Sequence, residues 1–164
     1  MRNAMTVTTP TDREILVTRE FNAPRELVWD TMSRPELLKQ WLSGPPGWEM
    51  TACEEDARVG GTFRWAWSGP GGALMVMTGV YREVVAPERC VRTEVFEMGC
   101  VPGGGEQLAT LVLTEKGEKT ALTLTLTLLY ASKEARDGAV ASGMEHGMAI
   151  GYDRIDEILE GAAV

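Results

Sequence analysis

Hydrophobic and polar residues alternate with a period of two along much of the chain between residues 48 and 130. The clearest alternation runs from Leu122 to Leu128, where four leucines are separated by three threonines. Such alternation is typical of an antiparallel strand that buries one face and exposes the other to water. Together with an earlier apolar segment, it predicts seven strands, which are Glu14–Phe21, Trp48–Cys53, Phe63–Ser68, Leu74–Val85, Cys90–Met98, Leu108–Glu115 and Leu122–Leu128.

Short segments rich in glycine, proline or charge separate these strands. They are residues 69–72, 84–89, 101–106 and 116–119. Strands joined by short turns predict an antiparallel meander. The two glycine clusters lie between strands and match neither the dinucleotide-binding nor the P-loop pattern, so they are predicted as turns and not as phosphate sites.

Two short helices are predicted after the first strand. Pro24 is suited to begin the first of them. Ser33 and Glu36 have the spacing of a capping box for the second, with Pro35 in its first turn. The proline-rich segment at residues 43–47 ends this helix.

A long helix is predicted from Ser132 to about Glu160, with a kink or restart where Ser142 and Glu145 form a second capping-box pattern. This order of elements predicts an α+β fold in which a curved antiparallel sheet wraps around the C-terminal helix. At 100° per residue one stripe of this helix is apolar: Met144, Met148, Tyr152, Ile155 and Leu159.

Three glycines, Gly143, Gly147 and Gly151, follow the edge of that stripe. Glycine within a helix costs about 1 kcal/mol relative to alanine, so the row indicates a structural requirement. Either the helix approaches the sheet closely, or space is left beside it. The stripe is then either plain core or one wall of a cavity, and methionine is suited to adaptable binding surfaces.

Length and composition predict one domain over residues 13–164, preceded by a disordered tail over residues 1–12. A net charge of −8 with no cluster of Lys and Arg argues against a nucleic-acid partner. No apolar run has the length of a membrane span, and no signal peptide is recognisable. The three cysteines lack the spacing of a disulfide framework or a metal site. We therefore expect a cytoplasmic protein.

Little in the sequence indicates catalysis or a metal. His146, the one histidine, is expected to face solvent on the side of the helix opposite the apolar stripe, so neither a metal nor a cofactor is predicted. The acidic run of residues 54–56 is interpreted as a solvated loop. The polar strand residues Arg64, Arg82, Arg92 and Glu94 would be lone polar anchors if any of them pointed inward, but the alternation does not determine which face they occupy.

Several motifs occur in a characteristic order between residues 13 and 160. They are FNAPRELVW at residues 21–29, PEL at 35–37 with Trp41, RVGGTF at 58–63, and GVYREV at 79–84 with PER at 87–89. In these motifs the chain resembles the START-like SRPBCC superfamily, in the branch named after the activator of the heat-shock-protein-90 ATPase. The resemblance implies the helix-grip fold, also known from birch-pollen allergens, with a seven-stranded sheet and a deep apolar cavity. Relatives often have Gly-Trp where this chain has Gly147-Met148, which bears on the shape of that cavity.

The expected function is binding of a small hydrophobic or aromatic molecule between the sheet and the last helix. A cyclase- or hydrolase-like enzyme and a protein that docks on a chaperone ATPase are the alternatives, and the sequence offers no catalytic dyad for the former. An exposed sheet edge leaves both a monomer and a homodimer open. The candidate ligand-binding residues are Trp41, Trp65, Trp67, Met77, Tyr81, Leu111, Leu113, Leu124, Leu126, Met144, Met148 and Tyr152.

Overall fold

One curved antiparallel sheet forms most of the protein. The computed structural model describes residues 4–98, 105–116 and 118–162. Within these residues the eight strands lie in the order β1-β2-β8-β7-β6-β5-β4-β3. They are β1 (Thr6–Thr8), β2 (Glu14–Phe21), β3 (Glu49–Glu55), β4 (Thr62–Ser68), β5 (Leu74–Val85), β6 (Arg89–Met98), β7 (Glu106–Lys116) and β8 (Glu118–Leu129).

Four α-helices accompany the sheet in the described part of the chain. They are α1 (Arg25–Ser33), α2 (Pro35–Trp41), α3 (Lys133–Ala141) and α4 (Met144–Ala162). The predicted α+β, helix-grip architecture is therefore confirmed, and so are the predicted strands. The glycine-rich segment at residues 101–104, Cys100 and Gly117 lie outside the described residues.

The N-terminal residues differ from the expected disordered tail. Thr6–Thr8 form strand β1, which pairs antiparallel with β2 from Thr6 opposite Thr18 to Thr8 opposite Leu16. Val7 also packs against the hydrophobic core. A strand of three residues gives no readable alternation, whereas an open sheet edge supplies backbone partners that sequence patterning does not reveal.

The two predicted capping boxes are not formed. Ser33 is the last residue of α1, so its backbone is helical and it cannot also be the extended N-cap of α2, a position that Arg34 occupies. The Ser33 hydroxyl donates instead to the Trp29 carbonyl at 2.7 Å, and Glu36 accepts from Arg34 Nε at 2.8 Å. Pro35 does begin α2, as predicted.

The predicted restart of the last helix is present at residues 142–143. Gly143 has φ of +83°, in the left-handed region that glycine adopts without strain, and it separates α3 from α4. Ser142 caps the end of α3 with its hydroxyl donating to the Ala139 carbonyl at 2.6 Å, so it does not cap the start of α4.

Helix α4 is attached to strand β2 by aromatic and ionic contacts. The rings of Phe21 and Tyr152 meet edge to face with centroids 6.1 Å apart. Arg19, only 2% exposed, donates to carboxylate oxygens of Asp153 at 3.2 Å and of Asp156 at 2.5 Å. These contacts determine which face of the sheet the helix covers.

Candidate ligand-binding site

The face of the sheet that α4 covers can be followed from strand to strand by the pairing register. Arg19 and Phe21 lie opposite Leu124 and Leu122, and the register continues across the sheet from Leu126 to Leu111 and from Arg92 to Tyr81. We call this the inner face. Its members on β3 to β7 include Cys53, Glu55, Phe63, Trp65, Trp67, Met75, Met77, Tyr81, Cys90, Arg92, Glu94, Phe96, Gln107, Ala109, Leu111 and Leu113.

All of the candidate residues lie in the described part of the chain, and eight of them share this inner face. Those eight are Trp65, Trp67, Met77, Tyr81, Leu111, Leu113, Leu124 and Leu126. Met144, Met148 and Tyr152 lie on α4, and Trp41 ends α2. Their roles as ligand contacts stay a prediction.

Two of the candidate tryptophans, Trp41 and Trp67, also hold the short helices in place through hydrogen bonds from their indole N–H groups. The indole of Trp41 donates to the Thr31 carbonyl at 2.8 Å, and that of Trp67 donates to the Leu42 carbonyl at 2.6 Å. Trp41 further contacts the Tyr152 ring, with centroids 6.3 Å apart. These hydrogen bonds fix α1 and α2 against the sheet and α4, so both side chains belong to the frame around the site.

Burial of α4 changes along its length. Tyr152, Ile155 and Leu159, in the C-terminal half, are 3%, 0% and 5% exposed. Met148 and Met144, which lie one and two turns before Tyr152, are only half-buried. The N-terminal half of the helix is therefore incompletely covered.

The sheet residues Met75, Met77 and Phe96 are half-buried as well. They adjoin one another, because Met75 pairs with Trp67 and Met77 lies between Trp65 and Phe96. The inner face thus carries a group of flexible thioethers and aromatic rings that the described residues leave partly uncovered.

A polar row crosses this apolar face. Glu94, 4% exposed, accepts from Arg92 Nε at 2.8 Å through one carboxylate oxygen and from Gln107 Nε2 at 2.9 Å through the other. The guanidinium of Arg92 lies over the ring of Trp65, 5.1 Å from its centroid, and over that of Phe63 at 5.6 Å. Burial is the largest single effect and lowers the pKa of Arg92. The charge and hydrogen bond of Glu94 together with Cys90 and Tyr81 outweigh burial, so this pKa is raised and the side chain stays charged.

A second polar pair lies beside the row, toward the β3 edge. The Tyr81 hydroxyl contacts both carboxylate oxygens of Glu55, at 3.0 and 2.8 Å. Burial raises the pKa of Glu55, although the Tyr81 hydrogen bond and the Arg92 charge oppose the rise. The pKa of Tyr81 is also raised, chiefly by burial. The indole N–H of Trp65 is close enough to favour ionised Glu55, yet it is buried without a hydrogen-bond partner.

Two further tyrosines face this row. Burial raises the pKa of Tyr130 to about 12, and the charge of Glu94 adds to the rise. The Tyr130 hydroxyl lies 3.8 Å from the sulfur of Met144 on α4. Burial also raises the pKa of Tyr152, with opposing effects from Arg92 and Glu94. Both phenols stay protonated at neutral pH and can donate a hydrogen bond.

Sequence reasoning missed Glu55 and did not place Arg92 and Glu94. The acidic run at residues 54–56 was expected in a solvated loop, whereas Glu54 and Glu55 belong to β3 and Glu55 points to the inner face. Between residues 91 and 95 of β6 the apolar pattern is inverted, because Val91 and Val95 lie on the outer face. Arg92 pairs with Tyr81, which the sequence did identify as a candidate, so the pairing of β5 with β6 would have found it. A bulge between Tyr81 and Glu83 shifts this pairing, and the alternation pattern does not reveal the bulge.

The glycines of the last helix have separate roles. A Cβ at Gly151 would lie 3.3 Å from both the ring and the carbonyl oxygen of Trp41, so close approach to α2 favours glycine there. A Cβ at Gly147 would meet nothing within 4 Å. The two explanations offered by the sequence, close approach and open space, therefore each apply to one of them.

Other features of the described surface lie outside the inner face. His146 is exposed, as predicted. A depression of about 370 Å³ lies outside the inner face and is lined by Gln40, Arg154, Glu157 and Ile158. Arg154 is engaged there by Ser43 Oγ and the Gly44 carbonyl, both at 2.8 Å. Among the described residues no group of His, Cys, Asp and Glu could hold a metal ion, and no helix is long and apolar enough to cross a membrane.

The fold and the inner face define a helix-grip protein of the START-like superfamily. Residues 22–160 match the family described as Activator of Hsp90 ATPase homolog 1-like protein, and the chain belongs to this family. A search of curated proteins found no match.

Solved structures agree with this assignment. A protein from Rhodobacter sphaeroides is 32% identical over 98% of this chain and 100% of its own, with a TM-score of 0.87. A protein from Mycobacterium smegmatis is 23% identical over 97% of this chain and 99% of its own, with a TM-score of 0.83. An AHSA1 protein from Silicibacter pomeroyi is 19% identical over 90% of this chain and 97% of its own, with a TM-score of 0.70. The latter two show the fold alone.

Proposed function

We propose that the protein binds a small apolar or aromatic molecule between the inner face and the N-terminal half of α4. The observation that carries this proposal is the contrast within one helix: Ile155 is fully buried, while Met148 is only half-buried. On the opposite side Met77 is half-buried too. An apolar ligand seated here would remove these side chains from water.

The chemistry of the surroundings favours a flat, hydrophobic ligand. Methionine side chains adapt to irregular shapes and make favourable contacts with aromatic rings. The half-buried ring of Phe96 would supply a flat surface, and the polar row would supply hydrogen-bonding groups that orient a bound molecule. Each 100 Å² of apolar ligand surface buried would contribute about 2.5 kcal/mol before the cost of association.

A titration with the neutral fluorescent probe N-phenyl-1-naphthylamine tests the proposal. We expect saturable binding to the wild-type protein, and weaker binding to Met148→Trp because the larger ring would fill the space. Displacing about 60 Å² of apolar contact corresponds to about 1.5 kcal/mol, or roughly a tenfold rise in Kd.

The matched control is Val140→Trp, which introduces the same ring at an exposed position on α3. This variant should bind the probe like the wild type. Equal affinities of the wild-type and Met148→Trp proteins, with both folded by circular dichroism, would remove Met148 from the site. Absence of saturable binding by any neutral apolar probe would refute the proposed function.

An enzyme is the second candidate, and one observation favours it. Glu55 has a raised pKa and a direct contact with the Tyr81 hydroxyl, which is an arrangement that can exchange a proton with a bound molecule. Mass spectrometry of a ligand recovered after incubation separates the candidates. An unchanged ligand supports binding alone, and a converted ligand whose formation is lost in Glu55→Gln supports catalysis.

A further inference from the structure

The guanidinium of Arg92 uses only part of its hydrogen-bonding capacity. An arginine has five N–H donors. Its Nε–H donates to Glu94, and Nη1 lies 4.0 Å from the Cys90 sulfur, which is a weak acceptor. Nη2 has no hydrogen-bond partner among the residues that the structure describes, although the side chain is only 15% exposed. Nη2 is also not among the donors fully buried without a partner, so it can be reached from outside and is available to an acceptor on a bound molecule.

The orientation of this guanidinium is fixed from two sides. The rings of Phe63 and Trp65 lie against it, and Glu94 is held in turn by Gln107. A planar donor group that cannot turn away selects a partner in one direction. This distinguishes Arg92 from exposed strand arginines such as Arg64, which is 49% exposed and 3.7 Å from Glu54.

The charges around Arg92 decide what kind of acceptor fits. The facing titratable groups are Glu55 from β3, Tyr81 from β5, Cys90 and Glu94 from β6, and Tyr152 from α4. Glu94 already neutralises the cation, and Glu55 adds a second carboxyl group close by. No positive charge is left in excess, so an anionic ligand gains little, whereas a neutral oxygen acceptor can take the free donors without repulsion.

The position of the pair in the sequence also argues for a role beyond stability. A buried ion pair is often no more stabilising than well-packed apolar residues of similar size. Strand β6 nevertheless places Arg92 and Glu94 on the inner face while Val91 and Val95 occupy the outer one. The row thus places a buried ion pair among the apolar residues of the inner face.

We propose that Arg92 is the polar anchor of the site and holds a neutral oxygen acceptor, such as a ketone carbonyl, on an otherwise apolar or aromatic ligand. This inference rests on the proposed function, since it specifies the ligand class of the same site. Arg92 orients the oxygen through Nη2, and the methionines of α4 and β5 contact the apolar body.

An isosteric pair of compounds tests the inference by calorimetry. 2-Acetylnaphthalene carries a carbonyl oxygen where 2-isopropenylnaphthalene carries a methylene group of the same shape. We expect the wild-type protein to bind the ketone roughly tenfold more tightly, which is typical of a hydrogen bond from a charged donor. 2-Naphthoate, an anion of similar size, should bind more weakly than the ketone at pH 7.5.

Variants link that preference to Arg92. Arg92→Met alone leaves the Glu94 carboxylate buried and unpaired, so the principal variant is Arg92→Met with Glu94→Gln, which removes both charges together and keeps an amide beside Gln107. In this double variant the two naphthalenes should bind equally. Arg64→Met, the same exchange on the outer face, should keep the wild-type preference.

The outcomes separate this inference from the function on which it rests. If neither naphthalene binds the wild-type protein, the proposed function fails and the inference with it. If both bind equally, or if the double variant keeps the preference, the site is present but Arg92 does not anchor the oxygen. If naphthoate binds most tightly, the ligand class is anionic and the assignment to neutral acceptors is wrong.

Discussion

The unequal burial of α4 predicts unequal costs for two truncations on the same helix. Ile155 is 0% exposed, so Ile155→Ala removes buried methylene groups and leaves a cavity, at a typical cost of about 2–5 kcal/mol. The better helix propensity of alanine offsets a few tenths of a kcal/mol of this loss. We therefore expect the free energy of unfolding to fall by about 2–4 kcal/mol.

Met148→Ala should be much less costly. Its side chain is half-buried, and the neighbouring space is the proposed ligand site, so truncation creates little enclosed cavity. Losing about half of the transfer free energy of the side chain gives a decrease of about 1 kcal/mol. Met148→Ala should at the same time weaken binding of the naphthylamine probe. Ile155→Ala should affect binding less, because Ile155 is fully buried and does not line the proposed site.

Urea denaturation followed by tryptophan fluorescence measures both quantities. The slope m should stay unchanged, so that the shift in midpoint reports stability alone. Thermal unfolding should agree, with roughly 2–4 °C per kcal/mol for a chain of this length. A loss for Met148→Ala as large as that for Ile155→Ala would refute the reasoning, because it would show that the N-terminal half of α4 is ordinary core.

Two further predictions follow from local geometry. Gly147→Ala should raise the free energy of unfolding by up to about 1 kcal/mol, because the new methyl group meets no atom within 4 Å. Gly151→Ala should give no such gain, because its methyl group would press against Trp41. Urea midpoints of the two variants test this, and equal gains would contradict the account. Glu55 has a pKa raised above its ordinary value of 4.5 in the folded protein, so its contribution to stability is fully present below pH 4.5 and is lost as pH rises through the folded pKa. Glu55→Gln should remove that decline in a pH series of urea titrations, and an unchanged pH profile would contradict the assigned shift.

The alternation of hydrophobic and polar residues predicted the strands well, because most strands bury one face and expose the other. Leu122, Leu124, Leu126 and Leu128 of β8 lie on the inner face, and the threonines between them lie on the outer one. The order of β3 to β8 followed from the short connections, whereas the pairing of β2 with β8 did not. Strand β1 could not be predicted in this way, since its three residues are ordered by pairing with β2 and carry no pattern of their own.

The helix termini show where a local motif is insufficient. The spacing of Ser33 and Glu36 is that of a capping box, but α1 extends through Ser33, so the serine is already part of a helix. Ser33 could belong to the end of α1 or cap the start of α2, and only the bounds of both helices show which occurs. The restart at Gly143 was predictable, because the left-handed conformation itself favours glycine.

The apolar part of the candidate site was accessible from the sequence, and its polar part was not. Trp65 and Met77 follow the alternation of their strands. Arg92 and Glu94 violate it, since the neighbouring Val91 and Val95 of β6 face outward. Residues at a binding site are expected to break the pattern that folds the protein, and for this reason pattern alone does not find them.

The central claim is that the inner face and α4 bind a small molecule, and native mass spectrometry of the protein purified gently from a cell lysate tests it most directly. We predict a reproducible added mass of a few hundred daltons that is lost on denaturation and reduced in Met148→Trp but not in Val140→Trp. A mass equal to that of the chain alone, together with no thermal stabilisation by a panel of neutral apolar compounds, would contradict the account and favour a protein-docking role for this family member.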